Sequence, residues 1–291
     1  MTAHQMLAKV RDLPPASTAG LKLLGLLNQP EIGNDDVVRV VKQDAVLTAK
    51  LLRACNSPAL GLKEPTMSVD HAVLILGHRQ LFQMVTGLAF RGLLSGRLCA
   101  YALDDGALWC HSLLAATAAE LALADGLDLD ISTPTAFTLG LLHDLGKLIT
   151  SQFLDWPSMV AMRRHRAQGR SLCQAERDVL GTDHAEVGAG LLYLWHLPAQ
   201  IVEAAALHHQ PVYTPRPQAS ALVWFADLVA HRAEGTESSG EILTPQTGSE
   251  VLAALNSNPE KLDSLVGRVC QQARQSSELL SVVHGLGPAV S

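Results

Sequence analysis

Apolar residues recur at helical spacing along almost the whole chain, and the strand signal is weak everywhere. Leu and Ala dominate while aromatics make up only 4% of the residues, which favours helix over sheet. A chain of 291 residues can bury one large core or two modest ones. The pattern predicts an all-α fold in three parts: an N-terminal helical bundle over 1–98, a second helical bundle over 99–235, and a linker with a last helix over 236–291. No internal repeat is visible.

Local signals place the helices. Leu21, Leu24 and Leu27 (or Leu23) share a stripe between Leu13-Pro14-Pro15 and Asn28-Gln29-Pro30. Asn34-Asp35-Asp36 offers an N-cap and acidic first turn for a helix bearing Val37, Val38, Val40 and Val41. Asp44 can cap the next helix, which carries Leu47, Leu51, Leu52 and Cys55 and ends near Asn56-Ser57-Pro58. Ser68 and Asp70 open a fourth, from Val69 to about Thr86. Later helices are expected over Trp109–Ala124, from Ser132 or Thr133 with Pro134 through Ile149, and over Trp156–Gln168, Ser171–Leu180, His184–Trp195, Pro198–His209 and Gln218–Ala233. Glu234 to Glu250 reads as a surface linker, and Asn258-Pro259-Glu260 starts a final helix. Its stripe of Leu262, Leu265, Val266, Val269, Cys270 and Ala273 needs covering and should pack back on the body.

One pair of residues breaks the apolar logic. His143-Asp144 lies inside the run from Ala136 to Ile149, among leucines, where each side chain must be hydrogen-bonded or hold a metal to offset the loss of water. His111, His184, His208-His209 and Asp227, each in or beside another apolar helical stretch, could complete such a site. Imidazole and carboxylate together suit one or two divalent ions of iron, manganese, zinc or magnesium, a carboxylate also being able to bridge two. Pro211 leaves His208 and His209 in the last turn of their helix, where the dipole favours a cation. Gly140, Gly146, Gly188 and Gly190 would let helices approach closely around the site. Lys147, one turn after His143, would face the same cavity and could hold a substrate phosphate. Taken singly the residues have plainer readings: a core or surface histidine at His111 or His184, a helix C-cap at His208-His209, an Asp227–His231 pair. His4, His71, His78, His165, His196, His231 and His284 are read as structural.

The net charge of −6 and pI near 6.0 argue against nucleic acid or an anionic membrane as the main partner. The one basic cluster, Arg163-Arg164-His165-Arg166 with Arg170, reads as a solvated helix face. Five scattered cysteines without a C-x-x-C fit free thiols in a reducing compartment. No signal peptide and no uninterrupted bilayer-spanning apolar stretch are readable, so the expected location is cytoplasmic.

The order His, His-Asp, His, His-His, Asp resembles the HD superfamily of metal-dependent phosphohydrolases. The stretch from about 13 to 230 is similar, more narrowly, to an HDOD domain. The runs that carry this are Leu13-Pro14-Pro15-Ala16-Ser17, Gln43 to Ser57, Ser68 to Gly77, Trp109-Cys110-His111-Ser112, Gly140 to Lys147, His184 to Gly190, His208-His209-Gln210-Pro211 and Ala226-Asp227. The resemblance implies an HD-like second bundle and a role in bacterial signal transduction as a regulatory or scaffolding module, generally without demonstrated phosphohydrolase activity. The related HD-GYP group follows its paired histidines with a glutamate and an Asp-Gly-x-Gly-Tyr-Pro loop. Here Gln210-Pro211-Val212-Tyr213-Thr214-Pro215 stands in that place, which argues against cleavage of cyclic dinucleotides. No receiver, GGDEF or EAL module is readable, so separate signalling proteins are the expected partners, with a nucleotide-type small ligand also open and the oligomeric state undetermined. The expected function is a regulatory module without catalysis. The alternatives are a metal-dependent phosphohydrolase, in which Asp144 and Lys147 would serve a metal-activated water, and a di-iron oxygenase.

Overall fold

The computed structural model describes residues 1–9, 18–26, 33–57, 60, 62, 65–211, 217–235 and 245–284. Every regular element among them is helical, and the one β contact is an isolated antiparallel bridge between Leu98 and Leu103. The chain forms two compact units, Met1–Leu13 with Leu94–Cys270, and Pro14–Leu93 with Gln271–Ser291. The sequence boundaries at 98 and 235 differ from these. The first helix, α1 (Ala3–Lys9), joins the larger unit because Met6 is fully buried there and the terminal ammonium donates to Leu180 O at 2.6 Å. The Pro-rich segments at 13–15 and 28–30, Pro58, and residues 212–216 and 236–244 lie outside the described residues.

The smaller unit holds α2 (Thr18–Leu26), α3 (Asn34–Lys42), α4 (Ala45–Cys55) and α5 (Val69–Leu94). Asp44 caps α4 as its side chain predicts, accepting from Leu47 N at 2.9 Å. The cap of α3 is Gly33, one residue earlier than expected, because the Asp36 carboxylate reaches back to the Gly33 amide at 3.3 Å. α5 runs past Thr86 to Leu94 but is broken at Gly77 (φ 71°, ψ 170°), a backbone region that only glycine enters freely. Helical periodicity alone does not reveal that break.

The larger unit contains α6 (Ala107–Ala124), α7 (Thr133–Leu142), α8 (Gly146–Thr150), α9 (Trp156–Ala167), α10 (Leu172–Leu180), α11 (His184–Leu194), α12 (Ala199–Leu207), α13 (Pro217–Glu234), α14 (Pro245–Ala254) and the first part of α15 (Pro259–His284). Caps follow the sequence signals: Ser132 accepts from Thr135 N ahead of Pro134, and Ser171 with Gln174 forms a capping box. α6 packs on α7 and α13, and α11 packs on α8 and α12. Ala115, Ala116, Ala118 and Ala119 are all fully buried, so the middle of α6 offers little side-chain bulk to hold its neighbours away at those positions. By length and hydropathy (mean 1.4) α6 could cross a membrane, but it is 67% buried within the protein.

The expected linker is partly helical, since Pro245 starts α14. Leu265 and Val269 of α15 are buried as their stripe requires, Val266 is half-buried, and the side chains of Leu262 and Ala273 lie outside the described residues. Arg268 of α15 pairs with Asp125, and Asp263 with Arg232 of α13. All five cysteines are free. Burial pushes the Cys55 thiol up to about 11 and Cys173 higher still, whereas Cys99 and Cys110 are exposed.

Candidate metal centre

The run read as one helix from Ala136 to Ile149 tightens at its centre. α7 ends at Leu142, His143 to Leu145 form a turn, and α8 begins at Gly146. The backbone stays right-handed, at φ −57°, ψ −37° for His143 and φ −56°, ψ −28° for Leu145. Its hydrogen bonds shorten to three-residue steps: Leu145 N to Leu142 O at 3.2 Å, Lys147 N to Asp144 O at 3.0 Å and Leu148 N to Leu145 O at 3.2 Å. At this tighter winding, positions i and i+3 eclipse. That puts Lys147 directly over Asp144, with Nζ 2.5 Å from Oδ2 and both side chains buried.

His143 and His208 use the same local device. Each is the residue after its helix, α7 or α12, and each places Nδ1 against the carbonyl three residues back: Gly140 O at 2.8 Å and Ala205 O at 2.7 Å. A carbonyl only accepts, so Nδ1 carries a proton and each ring turns Nε2 toward the centre. His184, the first residue of α11, gives Nδ1 to Glu176 Oε2 at 2.7 Å. Glu176 also accepts the His184 backbone amide at 3.0 Å and the Tyr101 hydroxyl at 2.5 Å. Burial pushes His184 down, but Glu176 and Asp144 together overcome it and raise the imidazole to about 10.

These nitrogens converge on Asp144. Its Oδ1 lies 3.3 Å from His184 Nε2 and 3.9 Å from His208 Nε2; His209 Nε2 stands 2.9 Å from His184 Nε2. Its Oδ2 faces His143 Nε2 at 3.5 Å and His111 Nε2 at 3.8 Å. Asp227 completes that side, 2.9 Å from His111 Nε2 and 3.6 Å from His143 Nε2. All seven residues singled out for the centre therefore meet in one place, and Asp144 stands between two half-sites. Burial raises the Asp144 carboxyl, but Lys147, His143 and His184 outweigh this and hold it well below the usual range. Burial and the neighbouring imidazoles push His208 well below its ordinary value, so it stays neutral.

The donor set suits a cation. His143 Nε2, His208 Nε2 and Asp144 Oδ1 are buried without a hydrogen-bond partner among the described residues, and imidazole nitrogens facing the two carboxylate oxygens, His208 toward Oδ1 and His143 toward Oδ2, are satisfied by a positive charge beside Asp144. Ligand atoms about 2.0–2.2 Å from one ion stand roughly 3–3.5 Å apart, close to the separations here. Asp144 with His184, His208 and His209, and Asp144 with His111 and His143, are two groupings that could hold a metal.

Two supporting residues, Glu176 and Glu234, carry no signal in the sequence, and a third, His231, forms the pair with Asp227 that its i, i+4 spacing suggests. Glu176 looks in sequence like a solvated acid of an amphipathic helix, yet it is fully buried behind His184. Glu234, read as the start of a linker, lies 3.2 Å from His111 Nδ1. His231, read as structural, places Nε2 3.4 Å from Asp227 Oδ1 and groups with His111 and Asp227. Burial lowers His111, but Asp227 and Glu234 raise it to about 10. Carboxylates behind ligand imidazoles raise their basicity and fix their orientation. Glu176→Gln should therefore weaken Mn²⁺ or Zn²⁺ binding by about 10- to 100-fold, read by competition with a chromogenic chelator. An unchanged affinity would leave Glu176 as a packing residue only.

The HDOD domain family model matches residues 13–211. The chain belongs to the HDOD family. An HDOD domain protein with unknown function from Geobacter sulfurreducens shares 23% identity and superposes with a TM-score of 0.70, covering 97% of this chain and 96% of that one. A Marinobacter aquaeolei VT8 structure provisionally named a signal transduction protein has a TM-score of 0.74 at 20% identity, over 94% of this chain and 60% of its own. A Shewanella amazonensis SB2B structure provisionally named a phosphohydrolase has a TM-score of 0.69 at 22% identity, over 97% and 100%. At these identities the likeness is one of fold. An uncharacterized protein of Treponema pallidum (strain Nichols) is 24% identical over 71% of this chain, which spans only 39% of that relative's length. The HDOD match includes every residue of the centre except Asp227, His231 and Glu234, which α13 contributes from beyond residue 211.

Proposed function

We propose that this HDOD protein is a regulatory signal-transduction module whose His/Asp centre binds a divalent ion, iron, manganese or zinc, to fix its conformation rather than to turn over substrate. The observation that carries this reading is the Lys147 ammonium on Asp144 Oδ2. It occupies the side of Asp144 where the ion of the His111–His143–Asp227 half-site would need a carboxylate oxygen. On the other half, Asp144 Oδ1 faces His184, His208 and His209, and the group an ion would displace there is a proton on His184 rather than a fixed ammonium. One tightly held ion per chain follows, closed in by its own side chains and without the paired ions that a binuclear hydrolase sets on attacking and leaving oxygens. Gln210, following the two histidines, offers no further carboxylate. Separate signalling proteins are the proposed partners.

Protein purified without chelator should contain about one ion per chain. Loaded with Mn²⁺ or Fe²⁺, it should hydrolyse bis-p-nitrophenyl phosphate and cyclic dinucleotides no faster than background. A metal-dependent rate lost in both Asp144→Ala and Lys147→Ala would replace this reading by the phosphohydrolase one. That second reading has its own support, an open cavity that reaches His111, Asp144 and Lys147.

A further inference from the structure

A cavity of about 670 Å³ reaches from the surface of the larger unit to His111, Asp144 and Lys147. This is within the range of about 300–1,000 Å³ typical of small-molecule sites. Its wall is largely apolar, with Ala100, Leu103, Leu108, Met162 and Leu172. Its charged residues do not cancel. Asp144 is neutralised by Lys147, and Glu234 is engaged by His111. Arg163 and Arg166 of α9 remain, and both line the cavity.

The basic run of α9 is thus divided by function. His165 and Arg170 pair with Asp178 of α10, at 3.5 and 3.6 Å. Arg163 and Arg164 are both exposed, and Arg166 is half-buried. Arg163 and Arg166, three residues apart and so on one face of α9, stand beside buried Met162 on the cavity wall. Arg166 spends one nitrogen on Arg170 O at 3.2 Å, which ties down its guanidinium and leaves other donors available. Arg163 keeps its solvent exposure while lining the cavity, and the solvated-face reading fails at half-buried Arg166.

We infer that this cavity binds a phosphate monoester carrying an apolar or aromatic body, the phosphate held by Arg163 and Arg166 and the body against the Leu108–Met162–Leu172 wall. Planar guanidinium forks suit phosphate oxygens, and an apolar lining rewards a body that a free inorganic anion lacks. The inference deepens the regulatory reading: it rests on that reading for the ligand's role, while binding through α9 stands without it.

Calorimetric titration of the full chain with adenosine 5′-monophosphate and with dodecyl phosphate tests the site, and whichever binds tells an aromatic body from an alkyl one. Adenosine and inorganic phosphate, each carrying half of the ligand, should bind at least about tenfold more weakly. Arg163→Ala and Arg166→Ala should each weaken the ester by about tenfold or more, and Arg164→Ala should leave it unchanged. Bound ester should also slow alkylation of Cys110, which lines the cavity, relative to exposed Cys99, which does not. Failure of both esters to bind, or binding indifferent to both arginines, overturns the inference. Metal content measured on the same samples keeps the two ideas apart. Ester binding to a chain that takes up no ion sinks the metal reading alone, and a metal-loaded chain that ignores both esters sinks the cavity site alone.

Discussion

Replacing Asp144 with alanine should cost the larger unit about 3–5 kcal/mol and abolish its capacity to hold an ion. The stability loss has a local cause. Lys147 is 5% exposed, and its raised pKa means that the ammonium stays charged: burial lowers it, but Asp144 more than compensates. Without the carboxylate the ammonium is left buried and unpaired, and removing one partner of a buried pair costs far more than the pair contributes. A unit of this size should lose on the order of 10 °C in Tm. The double variant Asp144→Ala/Lys147→Met removes the stranded charge and should recover most of that loss. It should not recover metal binding, because among the described residues Asp144 is the carboxylate that faces His184, His208, His143 and His111 together. Thermal melts with and without Mn²⁺ separate the two effects. Added ion should raise the wild-type Tm through preferential binding to the folded state and leave both variants unmoved. A single variant as stable as the wild type, or one whose Tm still rises with Mn²⁺, would remove Asp144 from its central place.

The centre was legible in sequence where its residues violate the pattern around them. His143-Asp144 stands among leucines, and His208-His209 sits just before a proline. Such polar groups in apolar stretches have few explanations. What escaped were residues that obey the local pattern and acquire their role only from the fold. Glu176 lies on a helix with an ordinary polar face, and only the approach of α10 to α11 turns its carboxylate toward His184. Glu234 ends α13, where composition shifts toward a linker, so nothing local points to His111. His231 stands four residues from Asp227, but a single i, i+4 pair is common on any helix surface and does not by itself point to a centre. Boundaries follow the same rule. Side-chain caps such as Asp44, Ser132 and Ser171 announce themselves. The break at Gly77 and the tightened turn at His143–Leu145 depend on backbone geometry that helical periodicity does not encode. His165 and Arg166 show the same limit from another side: a run of four basic residues reads as one face until packing half-buries two of them.

Gly146→Ala should be as damaging as the loss of Asp144, by a steric route. A Cβ on Gly146 would stand 1.8 Å from His184 O and 2.6 Å from Gly188 N, both backbone atoms of α11. No rotamer change can relieve this, so α8 and α11 must move apart by more than 1 Å. Overpacking that side chains can absorb costs about 1–3 kcal/mol, and a clash between two backbones should reach or exceed the top of that range. The displacement also acts on the centre, because α8 follows directly from Asp144 and α11 begins with His184, whose Nε2 lies 3.3 Å from Asp144 Oδ1. A shift of about 1 Å there is enough to spoil coordination distances that must hold within roughly 0.2 Å. Metal affinity should therefore fall along with Tm, unlike a simple packing defect elsewhere in the unit. Gly190→Ala provides the control on the same helix. Its Cβ would meet only Leu7 Cδ1, at 2.7 Å, the end of a flexible side chain that can turn aside. That variant should lose little stability and keep its ion. Equal Tm and equal Mn²⁺ affinity for Gly146→Ala and the wild type would mean that α8 and α11 do not meet as closely as described. The contact that brings Asp144 and His184 together would then have to be sought elsewhere.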